Sequence, residues 1–270
     1  MTALPAARRV PAWPAVRVFE HHLFVYRRIW RGTMFLTFFS PILFLGAMGF
    51  GLGGFVDNAG PGAAAATGGV PYAAFLAPGL LAAVAMQTAS FESTYPIMAA
   101  ILWNKVYHAM LATPMSIRDV VAGQFAWIAF RLLIVAGAFF IVMLAFGLVR
   151  SPLAVLALPS AMLTGLSVSA PIVAYTATQR KDNGFSTIFR FVITPMFLFS
   201  GTFFPIDRLP EFLRPVAYVT PLYHGVELSR GFALGTIEPL EVAIHGGYLV
   251  VLTSVGIAVA YLLLKRALVK

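Results

Sequence analysis

The chain has 270 residues, of which 60% are hydrophobic and 11% charged, with a formal net charge of +9 and a mean hydropathy of +0.86. Soluble domains carry about a quarter charged residues, so this composition excludes a soluble globule and predicts an all-α integral membrane protein. The absence of cysteine excludes disulfides and thiol catalysis, and no basic cluster alternates with aromatic residues, so we expect no nucleic acid among its partners.

The first element is an amphipathic segment at residues 13–31. Its apolar residues recur at spacings of three and four, and basic residues occupy the other side: Val16, Phe19, Leu23, Tyr26 and Trp30 against Arg17, His21, Arg28 and Arg31. This pattern predicts a helix lying in the cytoplasmic membrane interface, in contact with lipid. A basic anchor with no role beyond topology explains the same pattern, and the sequence leaves both interpretations open.

Six apolar stretches are long enough to cross a bilayer, which requires about 20 residues each. They are residues 33–56, 71–98, 121–148, 152–178, 185–205 and 242–264. An even number of spans places both termini on one side, and fourteen of the nineteen Lys and Arg residues fall on that side against four on the other. We therefore expect a multi-pass protein with both termini in the cytoplasm.

Two ionisable residues lie inside the predicted spans, Glu92 in the second and Arg131 in the third. A charge at this depth is costly unless it is paired or faces a cavity. The two spans run in opposite directions, which brings the two residues to similar depth. We predict an intramembrane Glu92–Arg131 pair, and snorkelling of Arg131 towards the interface is the alternative.

The cytoplasmic link between the second and third spans, residues 103–119, contains helix-start signals. Thr113 followed by Pro114 suits an N-cap and first helical position, and Ser116 with Asp119 forms a second, capping-box-like option. The sequence favours a short helix, a break and a second helix that enters the membrane. Docking of a soluble partner and a simple helical turn both remain open for this link.

The external segment at 206–236 is predicted to hold two short re-entrant helices. The chain should leave the fifth span after Phe204 and Pro205, because proline removes a backbone donor. The first helix is expected on an apolar stripe at i, i+3, i+4 and i+7, formed by Leu209, Phe212, Leu213 and Val216. The second is expected to begin at Thr220 and Pro221 and to end near Gly235, with Glu227 and Arg230 spaced for a pair.

Catalytic and nucleotide-binding motifs are not visible in the chain. Gly49, Gly51 and Gly54 spell G-x-G-x-x-G, but no strand precedes them and we discard the match. A G-x-x-x-x-G-K-[ST] loop is absent, and the five histidines lack metal-ligand spacing. We therefore expect that the chain is not an enzyme, and that it binds no metal and no cofactor of its own.

The external segment carries the residues of a family resemblance. Its S-G-x-x-F-P, L-P, P-L and R series is formed by Ser200, Gly201, Phe204, Pro205, Leu209, Pro210, Pro221, Leu222 and Arg230. This series resembles the signature before the last span of ABC type-2 exporter permeases. The run from Pro221 to His224, with Glu227 and Arg230, is similar to the nodulation-factor, lipooligosaccharide or drug exporter branch. The Y-x-A-M-L-x-T-P-[LM] stretch at Tyr107 and the Phe91–Glu92 pair also resemble that family.

The resemblance implies that residues 1–270 form one transmembrane domain, half of a transporter in a bacterial inner membrane. A second permease half, identical or related, would complete it, and a separate ABC ATPase subunit would bind ATP and Mg. The substrate would be a lipid-linked, glycolipid, amphiphilic or drug-like molecule.

The resemblance also implies roles for individual residues. The link would be the coupling helix seated in the ATPase, through Lys105, Tyr107, Thr113, Pro114, Ser116, Arg118 and Asp119. Residues 13–31 would be the elbow helix. An external gate would be formed by Phe204, Pro205, Pro221, His224, Glu227 and Arg230.

Two other functions compete with this interpretation. An ion-coupled secondary carrier would favour inverted repeats with helices broken at mid-membrane, and no internal repeat is visible. A membrane-embedded enzyme would need clustered acids, metal ligands or a nucleophile, and the sequence offers none of these.

Overall fold

The computed structural model describes residues 13–60, 62 and 67–269, and all regular structure in these ranges is helical. The long helices are α1 (Ala15–Asp57), α2 (Tyr72–Glu92), α5 (Ile117–Ala145), α6 (Ala157–Thr178) and α10 (Pro239–Leu268). The shorter ones are α3 (Tyr95–Met98), α4 (Val106–Leu111), α7 (Asn183–Phe199), α8 (Arg214–Val219) and α9 (Pro221–Leu234).

Helix α1 is continuous where the sequence predicts an interface helix and a separate first span. No break occurs near Gly32, because a glycine inside a helix weakens it by only about 1 kcal/mol and the Thr33 hydroxyl hydrogen-bonds the Ile29 carbonyl at 3.2 Å. Residues Leu45–Leu52 are wound as a π-helix. The structure thus joins the two predicted segments, and the interfacial position of residues 13–31 stays a prediction.

Helix α2 is interrupted at Ser93 and Thr94, and the chain then continues as α3 and a π-helical turn, Ala99–Trp103. Hydroxyl groups of α6 satisfy the break: Ser169 shares a 2.7 Å hydrogen bond with Ser93, and Thr176 donates to the Ser93 carbonyl at 2.8 Å. This satisfies the rule that backbone groups at membrane depth find partners within the protein. The predicted second span is therefore longer than expected and discontinuous.

Among the residues that the structure describes, five helical segments are long and apolar enough to span a membrane: Ala15–Asp57, Tyr72–Trp103, Ile117–Ala145, Pro152–Thr178 and Pro239–Leu268. The fifth predicted span, 185–205, corresponds to the shorter helix α7. That helix ends at Phe199 because the chain turns at Ser200 and Gly201, where φ is +81°. The expected count of six spans includes α7, and its crossing of the membrane stays a prediction.

In the external segment, the structure confirms the second of the two predicted helices. Thr220 caps α9 and accepts a hydrogen bond from the Tyr223 amide, and Gly235 ends it with φ +77°. The first predicted helix is displaced, since residues 209–213 form turns and α8 begins only at Arg214. The reason is Pro215, which fits the first turn of a helix but would disrupt one running through it.

Helix α6 is the centre of the fold and packs against α2, α5, α9 and α10. Small residues allow these close approaches. A β-carbon on Gly165 would lie 2.6 Å from a Leu132 methyl group, and one on Gly256 would lie 2.7 Å from the Ala170 side chain. In lipid, such close packing replaces the hydrophobic drive that holds soluble cores together.

Helix α1 contacts the rest of the fold mainly through α5. Val18 is fully buried in this contact, and Gly123 of α5 lies directly beneath it. A β-carbon at Gly123 would come within 2.6 Å of the Ala15 carbonyl oxygen, a backbone atom that cannot rotate away.

The substitution Gly123→Ala should therefore lower thermal stability, by about 1–3 kcal/mol of overpacking. Gly137→Ala is the matched control on the same helix, because its β-carbon has no atom within 4 Å. It should leave the melting temperature unchanged or raise it slightly, since alanine favours helix. Thermal unfolding in detergent measures both, and equal effects of the two substitutions would contradict the α1–α5 contact.

Candidate functional site

Glu92 and Arg131, the two residues predicted to pair, are in contact. The Arg131 Nε donates to Glu92 Oε1 at 3.0 Å, and the two side chains are 11% and 14% exposed. Arg131 lies fourteen residues from each end of Ile117–Ala145, so the pair sits halfway along α5. At that depth the two charges neutralise each other.

Aromatic residues surround this ion pair. The Trp127 Nε1 donates to Glu92 Oε2 at 3.3 Å, and the Arg131 guanidinium carbon lies 4.7 Å from the centre of the Tyr26 ring. His22 stacks on Trp127 with ring centres 5.4 Å apart. Helix α1 therefore supplies two rings, His22 and Tyr26, that enclose the α2–α5 pair, and the cation–π contact adds to its stability.

A hydrogen bond links the same face of α5 to the cytoplasmic link. Gln124, Trp127 and Arg131 are spaced i, i+3 and i+7 and share one side of α5. The hydroxyl of Tyr107, on α4, donates to Gln124 Oε1 at 2.8 Å, and the Tyr107 side chain is 1% exposed. Burial raises the pKa of the Tyr107 phenol, so it remains a donor. One helix face thus connects the link to the ion pair.

The ion pair borders a cavity of about 670 Å³ between α1, α2, α5 and α7. Its walls combine apolar side chains with hydroxyl and amide groups: Ile29, Thr33, Gln87, Thr88, Phe91, Glu92, Arg131, Phe189, Ile193, Thr194 and Phe197. A second cavity of about 1020 Å³, between α6, α7 and α8, is lined almost entirely by apolar residues. Helix α7 separates the two.

Most of the predicted coupling residues in the cytoplasmic link are exposed on the protein surface. Lys105, Thr113, Pro114, Ser116 and Arg118 are exposed, Asp119 is half-buried, and Tyr107 is buried. Helix α5 begins at the second predicted start, where Ser116 and Asp119 form a capping box. Thr113 instead closes α4, because its hydroxyl donates to the Met110 carbonyl at 2.6 Å. Lys105 has a left-handed backbone, with φ +51°, at the turn into α4.

In the segment predicted to be external, Arg230 of α9 holds three parts of the chain together. Its guanidinium donates to the carbonyls of Gly201 at 2.8 Å and Phe75 at 3.2 Å, and lies over the Phe75 ring at 3.8 Å. Glu227 is 3.5 Å away. Burial lowers the pKa of Arg230 to about 10, which leaves it charged at neutral pH. Arg230 thus fastens α9 to α2 and to the turn after α7.

His224, also on α9, pairs with His245 of α10 across 2.8 Å between their Nδ1 atoms. It stacks on Tyr248 with ring centres 4.0 Å apart. Burial and, to a lesser extent, the neighbouring His245 lower the pKa of His224 to about 4. The His224 ring is therefore neutral at physiological pH, and the bond needs one donor and one acceptor nitrogen.

The six residues of the predicted external gate are not gathered around one opening. Phe204 and Pro205 border a cavity of about 700 Å³ between the outer part of α1 and the end of α7. Pro221 starts α9, while His224 and Arg230 face inward and bind other helices. The gate stays a prediction, and the contacts of Arg230 and His224 are with protein.

Several residues of this arrangement were given no role in it from the sequence. They are His22, Gln87, Thr88, Gln124, Trp127 and His245. The periodicity of Gln124, Trp127 and Arg131 was a usable signal, because a polar or aromatic stripe on an apolar span points to a buried network. The sequence could not predict that α1 contributes aromatic rings to this site, since that depends on how α1 packs on α5.

Comparison with known proteins finds similarity over most of the chain. The profile of the ABC-2 type transporter family matches residues 18–234. Nodulation protein J of Rhizobium leguminosarum bv. viciae is 32% identical over 232 residues, 86% of each chain. Nodulation protein J of Rhizobium meliloti (strain 1021) is 29% identical over 269 residues, which cover 99% of this chain and 97% of that protein.

The ion pair predicts an asymmetric response to mutation. Arg131→Met leaves Glu92 buried without its partner and should destabilise the protein by about 3–5 kcal/mol. The double substitution Glu92→Gln with Arg131→Met removes both charges and should recover most of the lost stability.

Melting temperatures of the single and double variants in lipid nanodiscs measure this coupling. Arg118→Met, an exposed arginine at the start of α5, is the control and should change stability little. Additive losses in the double variant would show that the two side chains do not interact.

Proposed function

Because this chain belongs to the ABC-2 type transporter family, we propose that it works as the permease half of an exporter powered by a separate ATPase subunit. ATP and Mg bind to that partner in this scheme, and the chain itself supplies the path through the membrane. The protein is a multi-pass membrane component, and we place it in a bacterial inner membrane with both termini in the cytoplasm, following the distribution of its basic residues.

The observation that carries this proposal is the cytoplasmic link. Its exposed surface is short, helical and polar, and its inner side is fixed by the buried bond between Tyr107 and Gln124. A partner that pushes on this link therefore pushes on α5. Since α5 also carries Arg131, a movement at the link is passed to the ion pair and the cavity beside it.

A second permease half is proposed to cover α1 and α7. Both helices leave large apolar side chains exposed, among them Phe24, Val25 and Ile29 on α1 and Phe191 and Val192 on α7. These faces border the two cavities on either side of α7. The substrate, an amphiphilic or lipid-linked molecule in this proposal, would cross between the halves as they shift relative to each other.

The competing function of an ion-coupled carrier draws little support from the broken helix at Ser93 and Thr94. Broken helices in such carriers expose backbone carbonyls to the coupling ion. Here the Ser93 carbonyl accepts a hydrogen bond from Thr176, and the Ser93 hydroxyl is bonded to Ser169. The break is used for packing.

Site-directed cross-linking tests the proposed partner. The chain contains no cysteine, so a single cysteine at Thr113 can carry a photoactivatable maleimide. When the chain is co-expressed with its candidate ATPase subunit, Thr113→Cys should cross-link to that subunit. Phe212→Cys, 76% exposed on the other side of the predicted topology, is the control and should not.

The same complex in proteoliposomes should hydrolyse ATP faster in the presence of an exported amphiphile. Failure to isolate an ATPase subunit, with export unaffected by ATP depletion, would overturn the proposal.

A further inference from the structure

Two polar side chains of α2 face the cavity beside the ion pair. Gln87 is exposed and Thr88 is half-buried, and both line the cavity of about 670 Å³. Within the residues that the structure describes, neither the Gln87 amide nor the Thr88 hydroxyl makes a side-chain hydrogen bond. They are neighbours of Phe91 and Glu92 on one face of an otherwise apolar helix.

These groups lie at mid-depth. Gln87 is fifteen residues from Tyr72 and sixteen from Trp103, the two ends of the spanning segment. An amide or hydroxyl without a hydrogen bond in an apolar medium costs several kcal/mol. Polar side chains are retained at such a depth where they meet water or a polar ligand.

The charge of the cavity restricts what this ligand can be. Among the described residues that line it, Glu92 and Arg131 are the charged ones, and they neutralise each other. Glu92 also accepts from Trp127, and Arg131 lies against the Tyr26 ring. Because the paired charges cancel, an anionic or cationic headgroup finds no net opposite charge in this wall, whereas an uncharged headgroup needs none.

The remaining wall chemistry suits a headgroup that both donates and accepts hydrogen bonds. The Gln87 amide offers two donors and one acceptor oxygen, and the hydroxyls of Thr33, Thr88 and Thr194 can each accept. Phe91, Phe189 and Phe197 supply apolar walls. A volume of about 670 Å³ lies within the range of small-molecule pockets, about 300–1,000 Å³.

We propose that this cavity is a subsite for the uncharged, hydroxyl-bearing headgroup of an amphiphile, bound by the Gln87 amide and the Thr88 hydroxyl. The assignment rests on the proposed function, because it takes the exported molecule to be an amphiphile. It adds the location of the headgroup and its lack of charge.

Photolabelling in lipid nanodiscs tests the subsite without ATP or an ATPase subunit. The probes are dodecyl maltoside and dodecyl phosphate, each carrying a diazirine next to the headgroup, and empty nanodiscs correct for partitioning. The maltoside probe should label residues of α2 or α7 that line the cavity, and excess unlabelled dodecyl maltoside should compete. Dodecyl phosphate should label these residues at least tenfold less.

Two variants sharpen the result. Gln87→Leu and Thr88→Val each remove a hydrogen-bonding group, and each should raise the half-saturating maltoside concentration about 3- to 10-fold, as the loss of one hydrogen bond predicts. Ser93→Ala is the matched control: its hydroxyl lies on the same polypeptide stretch but bonds Ser169 away from the cavity. It should leave labelling unchanged.

Equal labelling by the phosphate probe, labelling outside the cavity, or unchanged binding in both variants would overturn the subsite. If a variant does not fold, the position that the probe labels in the wild-type protein still tests whether the cavity is the subsite. Specific labelling of the cavity, together with failure to isolate any ATPase subunit and export unaffected by ATP depletion, would instead leave the subsite standing and contradict the proposed function.

Discussion

The Glu92–Arg131 ion pair joins α2 to α5 halfway along α5, where both side chains are largely buried and each charge is compensated by the other. Its geometry imposes conditions on the surrounding helices. Trp127 donates a hydrogen bond to the second carboxylate oxygen of Glu92, and the Tyr26 ring covers the Arg131 guanidinium. Because Tyr26 belongs to α1, that helix must pack closely on α5. Gly123 makes that approach possible beneath Val18. The first three spanning segments are therefore held together by polar contacts as much as by apolar packing.

Both ends of the molecule connect to this centre through buried polar side chains. On one side, Tyr107 ties the link to Gln124, two turns along α5 from Arg131. On the other, Arg230 ties α9 to α2 and to the turn after α7. Helix α7 itself packs loosely and stands between two cavities. A transporter needs rigid parts and a part that can move, and in this chain α7 has a cavity on each side.

The sequence predicted features that depend on local chemistry. The apolar stretches located the spanning helices, Thr220 and Gly235 marked the ends of α9, and two lone charges in apolar stretches predicted their own pairing. Features that depend on tertiary contacts were missed or displaced. Pro215 moved the start of α8, and Arg230, predicted to pair with Glu227 near a gate, bonds mainly to backbone carbonyls that lie far away in the sequence. Likewise, nothing local indicated that α1 would continue through Gly32.

In the proposed mechanism, force applied at the cytoplasmic link reaches the cavity beside the ion pair. A single cysteine at Phe91, which lines that cavity and is 56% exposed, can report its accessibility to a water-soluble maleimide. With the ATPase subunit bound, addition of ATP should change the labelling rate several-fold, and Gln124→Leu should abolish that change while ATP hydrolysis continues. A cysteine at Leu240, 68% exposed at the start of α10, should label at a constant rate. Identical Phe91→Cys labelling with and without ATP, in a complex that transports, would contradict the account.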